Sequence, residues 1–264
     1  MRLITSDANS SFRRWLKLAT QPRALRELGR TLAEGTHLAR AVLDAGIRIE
    51  ALIARRGARN REVDTLIGLV EVQLRAPAFE IVPALFDRLS PVQSSVGLML
   101  EIAIPLIEWP ATIVEDVVYL DGIQDPGNAG ALLRVAAAAG VRRALAAPGA
   151  AALWAPRTLR AAQGAHFALT LVEGVAADVA GRALDGSWIA AATHDAPPLW
   201  TALLPAGPVG WVFGSEGQGV SEAMMAQCRQ RVRVPLAAGV ESLNVAAAAA
   251  VCLFERRRRL DLSQ

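Results

Sequence analysis

The sequence is poor in the residues that build disulfide frameworks and metal sites. Its 264 residues include two cysteines, Cys228 and Cys252, and three histidines. Two cysteines cannot form a disulfide framework, and with so few histidines the chain offers no Cys/His spacing typical of a metal site. We therefore expect no metal cofactor and a reducing compartment, the cytoplasm.

Long apolar runs are also missing. No window of about 18 residues is both apolar and free of charge, so no membrane span is expected. Residues 1–14 are polar and lack the apolar core of a secretory signal. The composition, 53% hydrophobic and 20% charged, is that of an ordinary globular protein with enough apolar residues for a core. At about 150 residues per domain, this length predicts one or two domains.

The charge is modest but unevenly distributed. Residues 1–110 hold 15 basic and 12 acidic residues, which accounts for the whole formal net charge of +3. In the basic strip near the start of the chain, six cations face only Glu27: Arg13, Arg14, Lys17, Arg23, Arg26 and Arg30. Such a strip is suited to contact the phosphates of a nucleic acid. The alternative is an ordinary solvated helix face.

The first part of the chain has the pattern of a small α/β unit. Two prolines, Pro105 and Pro110, bracket a short linker at its end, and we predict a boundary that separates a domain of residues 1–105 from one of residues 106–264. Apolar periodicity predicts helices over residues 24–45, 63–70 and 83–89, and strands over residues 49–54, 79–82 and 96–102.

From residue 113 onward, strands alternate with helices. Short apolar runs predict strands over residues 117–120, 143–147, 188–193, 209–213 and 232–234. Helical spacing predicts helices over residues 129–139, 154–163 and 243–259. This alternation predicts an α/β domain with a parallel sheet that is covered by helices on both faces.

Three loops that follow predicted strands are rich in residues with special chemistry, and ligands of such sheets bind at this end. The first loop, residues 121–130, contains the turn sequence Asp125-Pro126-Gly127-Asn128 and leads to Arg134. Asn128 is a candidate cap of the following helix. Taken alone, this loop could be a capped helix that carries one surface arginine.

The second loop places Gly214, Gly217 and Gly219 around Glu216, directly after a predicted strand. Glycine permits positive φ and lets a ligand approach the backbone closely. A simple tight turn is the alternative. The glycine order is G-x-x-G-x-G, which differs from the dinucleotide-binding pattern G-x-G-x-x-G, and the loop follows a late strand instead of the first.

The third loop runs from Val234 and Pro235 to Ser242-Leu243-Asn244-Val245. Ser242 is a candidate N-cap of the last helix, and capping alone would explain it. On this prediction Asn244 lies within the first turn of an alanine-rich helix, where its propensity is poor. An asparagine at that position suggests a role other than helix formation.

Together the three loops resemble the motifs of the SpoU-type (TrmH-like) RNA methyltransferases of the SPOUT superfamily. The first motif is present as Asn128-x-Gly130-x-x-x-Arg134 and the second as Gly214-x-Glu216-x-x-Gly219. The third is Pro235 followed by Ser242-Leu243-Asn244-Val245. The resemblance extends over residues 113–259, and the motifs occur in the family's order and contexts.

The resemblance implies a fold that the residues alone would not suggest. Residues 106–264 are expected to form a parallel-sheet SPOUT domain with a deep trefoil knot, a topology that is nearly absent from other proteins. The first domain resembles the family's small α/β RNA-binding domain at residues 32–37 and, more weakly, at residues 90–97. Family members are homodimers, which implies an interface that includes the motif-one helix and the helix over residues 243–259.

The resemblance also implies the cofactor, S-adenosylmethionine, and the reaction, methylation of a ribose 2′-hydroxyl. The cofactor is expected to contact backbone groups around Gly214, Val234 and Leu243. The full predicted cofactor set is Gly214, Glu216, Gly219, Val234, Pro235 and Leu243.

The predicted catalytic residues are those of the three motifs. The family's candidate base is the motif-one arginine, here Arg134, but a guanidinium stays protonated in proteins. We therefore expect Arg134 to clamp the target phosphate with its bidentate fork. Asn128 and Glu216 would orient Arg134 and the ribose. Ser242 and Asn244 would shape the floor of the pocket.

The substrate is predicted to be ribosomal RNA in preference to transfer RNA, because an added N-terminal binding domain is present. Two other functions remain open. A nucleotide-dependent oxidoreductase would use the glycine-rich loop, but its glycine order is wrong for that role. A non-catalytic RNA-binding or ribosome-assembly protein would keep the fold, but we would then expect loss of Asn128, Arg134 or Glu216, and all three are present.

Overall fold

The computed structural model describes residues 1–58, 60–70, 76–92, 95–192 and 194–262. Thr193, at the end of a predicted strand, lies outside these residues, as do Gln93 and Ser94 in the N-terminal family-like segment. The chain divides into two compact units, each described by itself below. The first comprises Met1–Leu106 with Trp154–Phe167, and the second Ile107–Leu153 with Ala168–Gln264. The predicted domain boundary after residue 105 stays a prediction.

Strands and helices are numbered in chain order. The strands are β1 (Arg2–Ile4), β2 (Arg30–Glu34), β3 (Ile49–Arg55), β4 (Ala78–Ile81), β5 (Leu98–Ala103), β6 (Val117–Asp121), β7 (Arg143–Ala146), β8 (Thr170–Glu173), β9 (Ser187–Ala192), β10 (Val209–Gly214) and β11 (Cys228–Arg233). The helices are α1 (Ser10–Thr20), α2 (Pro22–Leu28), α3 (Thr36–Asp44), α4 (Arg61–Gly68), α5 (Pro83–Leu89), α6 (Pro126–Ala138), α7 (Pro156–Ala162), α8 (Ala177–Ala183), α9 (Glu222–Met225) and α10 (Val245–Asp261).

The first unit contains a mixed sheet with the strand order β1-β4-β3-β5-β2. Strands β1, β4 and β3 are parallel, and β5 runs antiparallel to both β3 and β2. The helix predicted over residues 24–45 is wrong, because this segment forms α2, β2 and α3. Gly29 and Gly35 have positive φ values of 61° and 102°, which end the helical path on each side of β2.

A buried carboxylate ties the N-terminal helix of this unit to its sheet. Glu101 on β5 is fully buried and accepts hydrogen bonds from Arg14 Nε and Nη2, both at 2.9 Å, and from Trp15 Nε1 at 2.8 Å. Arg30 Nη1 adds a further contact at 3.1 Å. Two cations of the predicted basic strip are therefore held in ion pairs, Arg14 with Glu101 and Arg30 with both Glu101 and Glu50. Contact of the strip with phosphates stays a prediction.

The second unit contains six strands, all parallel, in the order β11-β9-β10-β6-β7-β8. The prediction of an α/β fold with a parallel sheet is confirmed. Strand β8 and helix α8 were not predicted, because their short segments lack a clear periodicity. Strand β11 begins at Cys228, four residues before the predicted start. The prediction missed these residues because the arginines of the strand obscure its apolar pattern.

The two central strands bring two of the loops together. Every residue of β6 is buried, as expected for a strand with neighbours on both sides and helices on both faces. Phe213 of β10 lies opposite Leu120 of β6, and Gly214 lies opposite Asp121. The two strands therefore end at the same level, and the loops that follow them start side by side at the carboxyl edge of the sheet.

Within the described ranges, no helix is both long enough and apolar enough to cross a membrane. The same residues contain no group of three or more His, Cys, Asp or Glu side chains that could hold a metal ion.

Candidate active site

The loop after β10 is folded tightly on itself. Ser215 and Gly219 exchange backbone hydrogen bonds of 3.0 and 2.8 Å, which leaves Glu216 and Gly217 exposed at the tip of the loop. A Cβ atom at position 214 would collide with the carbonyl group of Gly219, so only glycine fits there. The glycine-rich sequence therefore serves a close approach between two stretches of backbone.

This loop is also connected to the end of β6. The buried carboxylate of Asp121 accepts a hydrogen bond from the Ser221 backbone N–H, with an Oδ2 to N distance of 2.6 Å. Sequence reasoning did not single out Asp121, although its position directly after a buried strand was a usable signal.

Helix α6 begins at the loop after β6, and its cap differs from the prediction. Asp125 is the N-cap, and its Oδ1 accepts from the Asn128 backbone N–H at 2.7 Å. The prediction that Asn128 caps this helix is wrong, because the helix starts earlier, at Pro126, which is well suited to the first helical position. As the third residue of the helix, Asn128 keeps its side-chain amide available for other contacts.

Helix α10 begins at Val245, and its N-cap is Asn244. The Asn244 Oδ1 atom accepts from the backbone N–H groups of Ala246 at 2.9 Å and Ala247 at 3.3 Å. The prediction that Ser242 is the cap is wrong, as is the placement of Asn244 inside the helix. The poor propensity of asparagine for a helix interior therefore does not apply, since the residue terminates the helix.

Three motif residues meet in one hydrogen-bonded group, which we call the polar cluster: Asn128, Glu216 and Asn244. Asn128 Nδ2 donates to Glu216 Oε1 at 2.6 Å. Asn244 Nδ2 donates to Asn128 Oδ1 at 2.8 Å and lies 3.4 Å from Glu216 Oε1. The loops after β6, β10 and β11 are therefore connected through side chains that are far apart in sequence.

Two cavities flank the loop after β10. The first, of about 460 Å³, lies on the β6 side and the second, of about 400 Å³, lies on the β11 side. Asn128 lines the first cavity, while Glu216 and Gly219 line both. The predicted site residues along the second cavity are Gly214, Glu216, Gly219, Val234, Ser242 and Leu243. Pro235 lines neither cavity.

The segment between β11 and α10 has unused backbone groups on the wall of the second cavity. Within residues 235–243, the structure shows a single backbone hydrogen bond, from the Val240 N–H to the Ala237 carbonyl. Leu236, Ser242 and Leu243 of this segment line the cavity. The segment is half-buried at residues 235 and 236 and exposed from residue 237 onward, so its backbone groups are accessible and could bind a polar ligand in place of water.

Arg134 lies apart from the polar cluster in the single chain. It is exposed on α6, six residues after Asn128, and lines neither cavity. No ion pair or side-chain hydrogen bond of Arg134 is found among the residues that the structure describes.

Several polar residues near the cavities were not predicted. Gln124 and Gln218 line the first cavity, and His194 lines the second. Gln124 and Gln218 stand within the two motif loops, which was an available signal. His194 follows β9 in sequence, but nothing in its neighbourhood marked it as different from a structural histidine.

Two other ionisable groups of this unit are poor candidates for proton transfer. Burial, with a smaller contribution from Asp121, raises the pKa of both Tyr119 and Cys228 to about 12. Tyr119 also donates to the Val175 carbonyl at 2.8 Å. Both groups therefore stay protonated near neutral pH.

Known proteins resemble this chain in sequence and in fold. The sequence model of the SpoU rRNA Methylase family matches residues 115–254. The 23S rRNA (guanosine(2553)-2′-O)-methyltransferase RlmP of Bacillus subtilis (strain 168) is 29% identical over 271 residues, which cover 97% of this chain and 100% of that protein. The crystal structure of an RNA 2′-O ribose methyltransferase matches with a TM-score of 0.80 and 27% identity, and the match covers 98% of this chain and 99% of that one.

A further structure shows the same fold with a cofactor bound. The SpoU methyltransferase AviRb from Streptomyces viridochromogenes, in complex with AdoMet, matches with a TM-score of 0.81 over 97% of this chain and 100% of that one. At 23% identity this likeness concerns the fold alone.

Proposed function

Since the chain belongs to the SpoU rRNA methylase family, we propose that it transfers the methyl group of S-adenosylmethionine to the 2′-hydroxyl of a ribose in ribosomal RNA. The observation that carries this proposal is the polar cluster of Asn128, Glu216 and Asn244 between two cavities. One cavity would hold the cofactor and the other the target nucleotide. Ribosomal RNA is favoured over transfer RNA because the B. subtilis relative, which matches over its full length, is named for 23S rRNA.

The second cavity fits the cofactor. Its volume of about 400 Å³ is within the range of small-molecule sites. Its walls combine apolar side chains, such as Leu236 and Leu243, with the free backbone groups between β11 and α10. Gly214, Val234 and Leu243 would hold the cofactor, whereas Pro235, which lies off the cavity wall, would only shape the segment.

S-adenosylmethionine supplies an activated methyl group on a sulfonium, so the chain must position the ribose and accept its hydroxyl proton. Glu216 is placed for the second task. Its Oε1 accepts from Asn128 and lies near Asn244, while Oε2 accepts no hydrogen bond from the described residues. The free Oε2 would accept the proton, and the two amides would fix the orientation of the carboxylate.

Arg134 would act on the RNA. An exposed arginine without a partner can clamp a phosphate with two parallel hydrogen bonds. Because Arg134 is remote from the polar cluster in one chain, we infer that it completes a site in the assembled homodimer or with RNA bound. Ser242, on the wall of the second cavity, would shape that cavity instead of capping the helix.

The remaining family features are part of the same proposal. We infer a homodimer in which α6 and α10, which pack against each other within the chain, contribute to the interface. Exposed Phe254 on α10 supports this, because it is a large apolar side chain without cover in the single chain.

We also infer the trefoil knot, a substrate-binding domain over residues 1–105 and a cytoplasmic location. The path of the chain supports the knot. The segment after β11, at one edge of the sheet, returns past β9 to the polar cluster between β10 and β6.

The alternative functions have less support. A non-catalytic RNA-binding protein would not need to keep Asn128, Glu216 and Asn244 in hydrogen-bonding geometry. A nucleotide-dependent oxidoreductase would need a phosphate-binding loop after the first strand of the parallel sheet. The loop after β6, Gly122-Ile123-Gln124-Asp125-Pro126-Gly127, lacks the glycine spacing of that loop.

The proposal is tested by incubating the full chain with labelled S-adenosylmethionine and unmodified ribosomal RNA, and mapping 2′-O-methyl groups in the product. We expect methylation at a discrete ribose. At saturating cofactor, the Glu216→Gln variant should lose about a hundredfold or more in single-turnover rate if Glu216 takes the proton. Calorimetry measures its cofactor affinity separately, because Glu216 also lines the second cavity. Calorimetric binding of NAD in place of S-adenosylmethionine, or no methyl transfer to any RNA, would contradict the proposal.

A further inference from the structure

Strand β11 carries a row of arginines that the proposed reaction does not use. Arg229, Arg231 and Arg233 occupy every second position of this six-residue strand. The strand lies at the edge of the parallel sheet and pairs with β9. Edge strands present unpaired backbone groups and side chains to the surroundings, so this row is available to a partner.

The first two arginines are free charges. Arg229 and Arg231 are exposed, and neither forms an ion pair with any carboxylate in the described part of the chain. Arg233 is half-buried, and its Nε donates to the Ala196 carbonyl at 3.0 Å. The edge beside Arg233 is covered by the segment around Pro198, which bridges to it. The exposed part of the row is therefore Arg229 and Arg231.

The row leads to the second cavity, the proposed cofactor site, so an RNA strand bound to it would pass the mouth of that cavity on its way to the target ribose. Val232 and Arg233 lie opposite Ala191 and Ala192 of β9, and both alanines line that cavity. Val234, the residue after β11, lines it as well. At about 3.3 Å per residue, Arg231 stands within roughly 10 Å of the cavity wall along the strand.

We propose that Arg229 and Arg231 bind two phosphates of the RNA strand that enters the active site. Arg229 lies at a bulge of β11, between Cys228 and Gln230, so Arg229 and Arg231 are at most about 6.6 Å apart along the strand. Their long side chains can still reach separate phosphates of one RNA strand. The planar fork of arginine matches the geometry of a phosphate oxygen pair. This inference rests on the proposed RNA substrate. It gives the second unit its own RNA-binding surface, in addition to the surface expected on the first unit.

The competing explanation is protection of the sheet edge. Charged side chains on an edge strand prevent pairing with the edge of another molecule. If the arginines only protect the edge, replacing them would change self-association and would leave RNA affinity unchanged. The two explanations therefore differ in what the arginines do to RNA binding and to self-association.

The test compares the wild type with Arg229→Gln/Arg231→Gln. The control is Arg142→Gln/Arg182→Gln, which removes two exposed arginines of the same unit outside the row, one of them, Arg182, paired with Asp178. The probe is unmodified full-length 23S ribosomal RNA, and its affinity is measured at several salt concentrations. Loss of two phosphate contacts should weaken binding on the order of tenfold and reduce the slope of log affinity against log salt by about 1.5. The control should keep the wild-type slope.

Two further measurements separate the possible failures. Arg229→Lys/Arg231→Lys keeps both charges and should retain most of the slope, which shows that a loss in the glutamine variant does not come from misfolding. If the glutamine variant keeps the wild-type RNA affinity and salt slope, the inference is overturned, whether or not the variant aggregates in sedimentation. Methyl transfer by the wild type would in that case still support the proposed function. Absence of methyl transfer in the wild type would instead overturn the proposed function.

Discussion

The two units use a glutamate in opposite ways. Glu101 of the first unit is fully buried, and both of its oxygens accept hydrogen bonds from Arg14, Trp15 and Arg30. Glu216 of the second unit is exposed, and one of its oxygens has no partner among the described residues. The first carboxylate has no capacity left for a ligand, whereas the second keeps an oxygen for one.

The comparison shows why burial and charge alone do not identify a catalytic residue. Burial by itself raises the pKa of Glu101, but the hydrogen bonds from Arg14, Trp15 and Arg30 outweigh it and lower the pKa below the ordinary value. Such a shift is typical of catalytic groups and also of structural ion pairs. Here the saturation of Glu101 indicates a structural role, and the Glu216 oxygen that has no donor among the described residues supports the proposed role of Glu216 in proton transfer.

The largest effect is expected from Glu101→Gln. The variant removes the negative charge that neutralises Arg14 and Arg30, and we expect it to lower the free energy of unfolding by about 3 kcal/mol. The control Glu27→Gln, which breaks the exposed pair with Arg23, should change it by less than about 1 kcal/mol. Urea unfolding followed by circular dichroism measures both. Equal effects would show that Glu101 is no more important than a surface charge.

The stability that Glu101 contributes should also depend on pH. Because the folded-state pKa of Glu101 is lowered, its contribution is present above the ordinary carboxyl value of 4.5 and is lost as pH falls toward the lowered pKa. The stability difference between wild type and Glu101→Gln should therefore shrink in acid below pH 4.5. A difference that stays constant through that range would contradict the assignment of the shift.

Arg134→Lys should have the next largest effect, and it acts on activity alone. Lysine keeps the positive charge but loses the planar fork, and misplacement of a reactant costs about a hundredfold in rate. Because Arg134 is exposed and has no ion pair or side-chain hydrogen bond among the described residues, stability and cofactor affinity should not change. Single-turnover methyl transfer at saturating cofactor measures the effect, with Arg142→Lys as the control. Near-wild-type turnover would remove Arg134 from the reaction.

The smallest effect is expected from the basic strip. With Arg14 and Arg30 bound to Glu101 and Arg23 paired with Glu27, Arg13, Lys17 and Arg26 remain as exposed charges without an ion pair in the described part of the chain. Arg13→Gln/Lys17→Gln should weaken RNA binding only a few-fold and reduce the salt slope by at most about 1.5. If neither quantity changes in filter-binding titrations, this helix face is solvated and contacts no RNA.

The sequence was most informative about the second unit. Its central strands are short apolar runs between turn residues, and a strand buried on both faces has that pattern whatever its neighbours are. Edge strand β11 was placed too late because its arginines face solvent. In the first unit, Leu25, Leu28 and Leu32 have helical spacing, but β2 pairs with β5, and spacing alone does not reveal a pairing between distant segments.

The sequence predicted which residues form the polar cluster, but it did not predict which residues cap the helices. The three motifs indicated Asn128, Glu216 and Asn244 before any geometry was known. The caps were misassigned by two or three residues, because serine, asparagine and aspartate are all good caps and only the backbone decides among them. The register that sets Gly214 opposite Asp121, and with it the two cavities, is not visible in the sequence.

The two contacts of Asn244 determine when, during synthesis, the chain can first form the polar cluster. Its oxygen starts α10 while its nitrogen binds Asn128, so the final helix and the polar cluster form together. The two asparagines are 116 residues apart in the chain. At about 5–20 residues per second of synthesis, a nascent chain spends on the order of ten seconds with Asn128 already made and Asn244 still missing. During that interval the unfinished chain cannot assemble the polar cluster, so under the proposed function it should not transfer methyl groups while it is still attached to a ribosome.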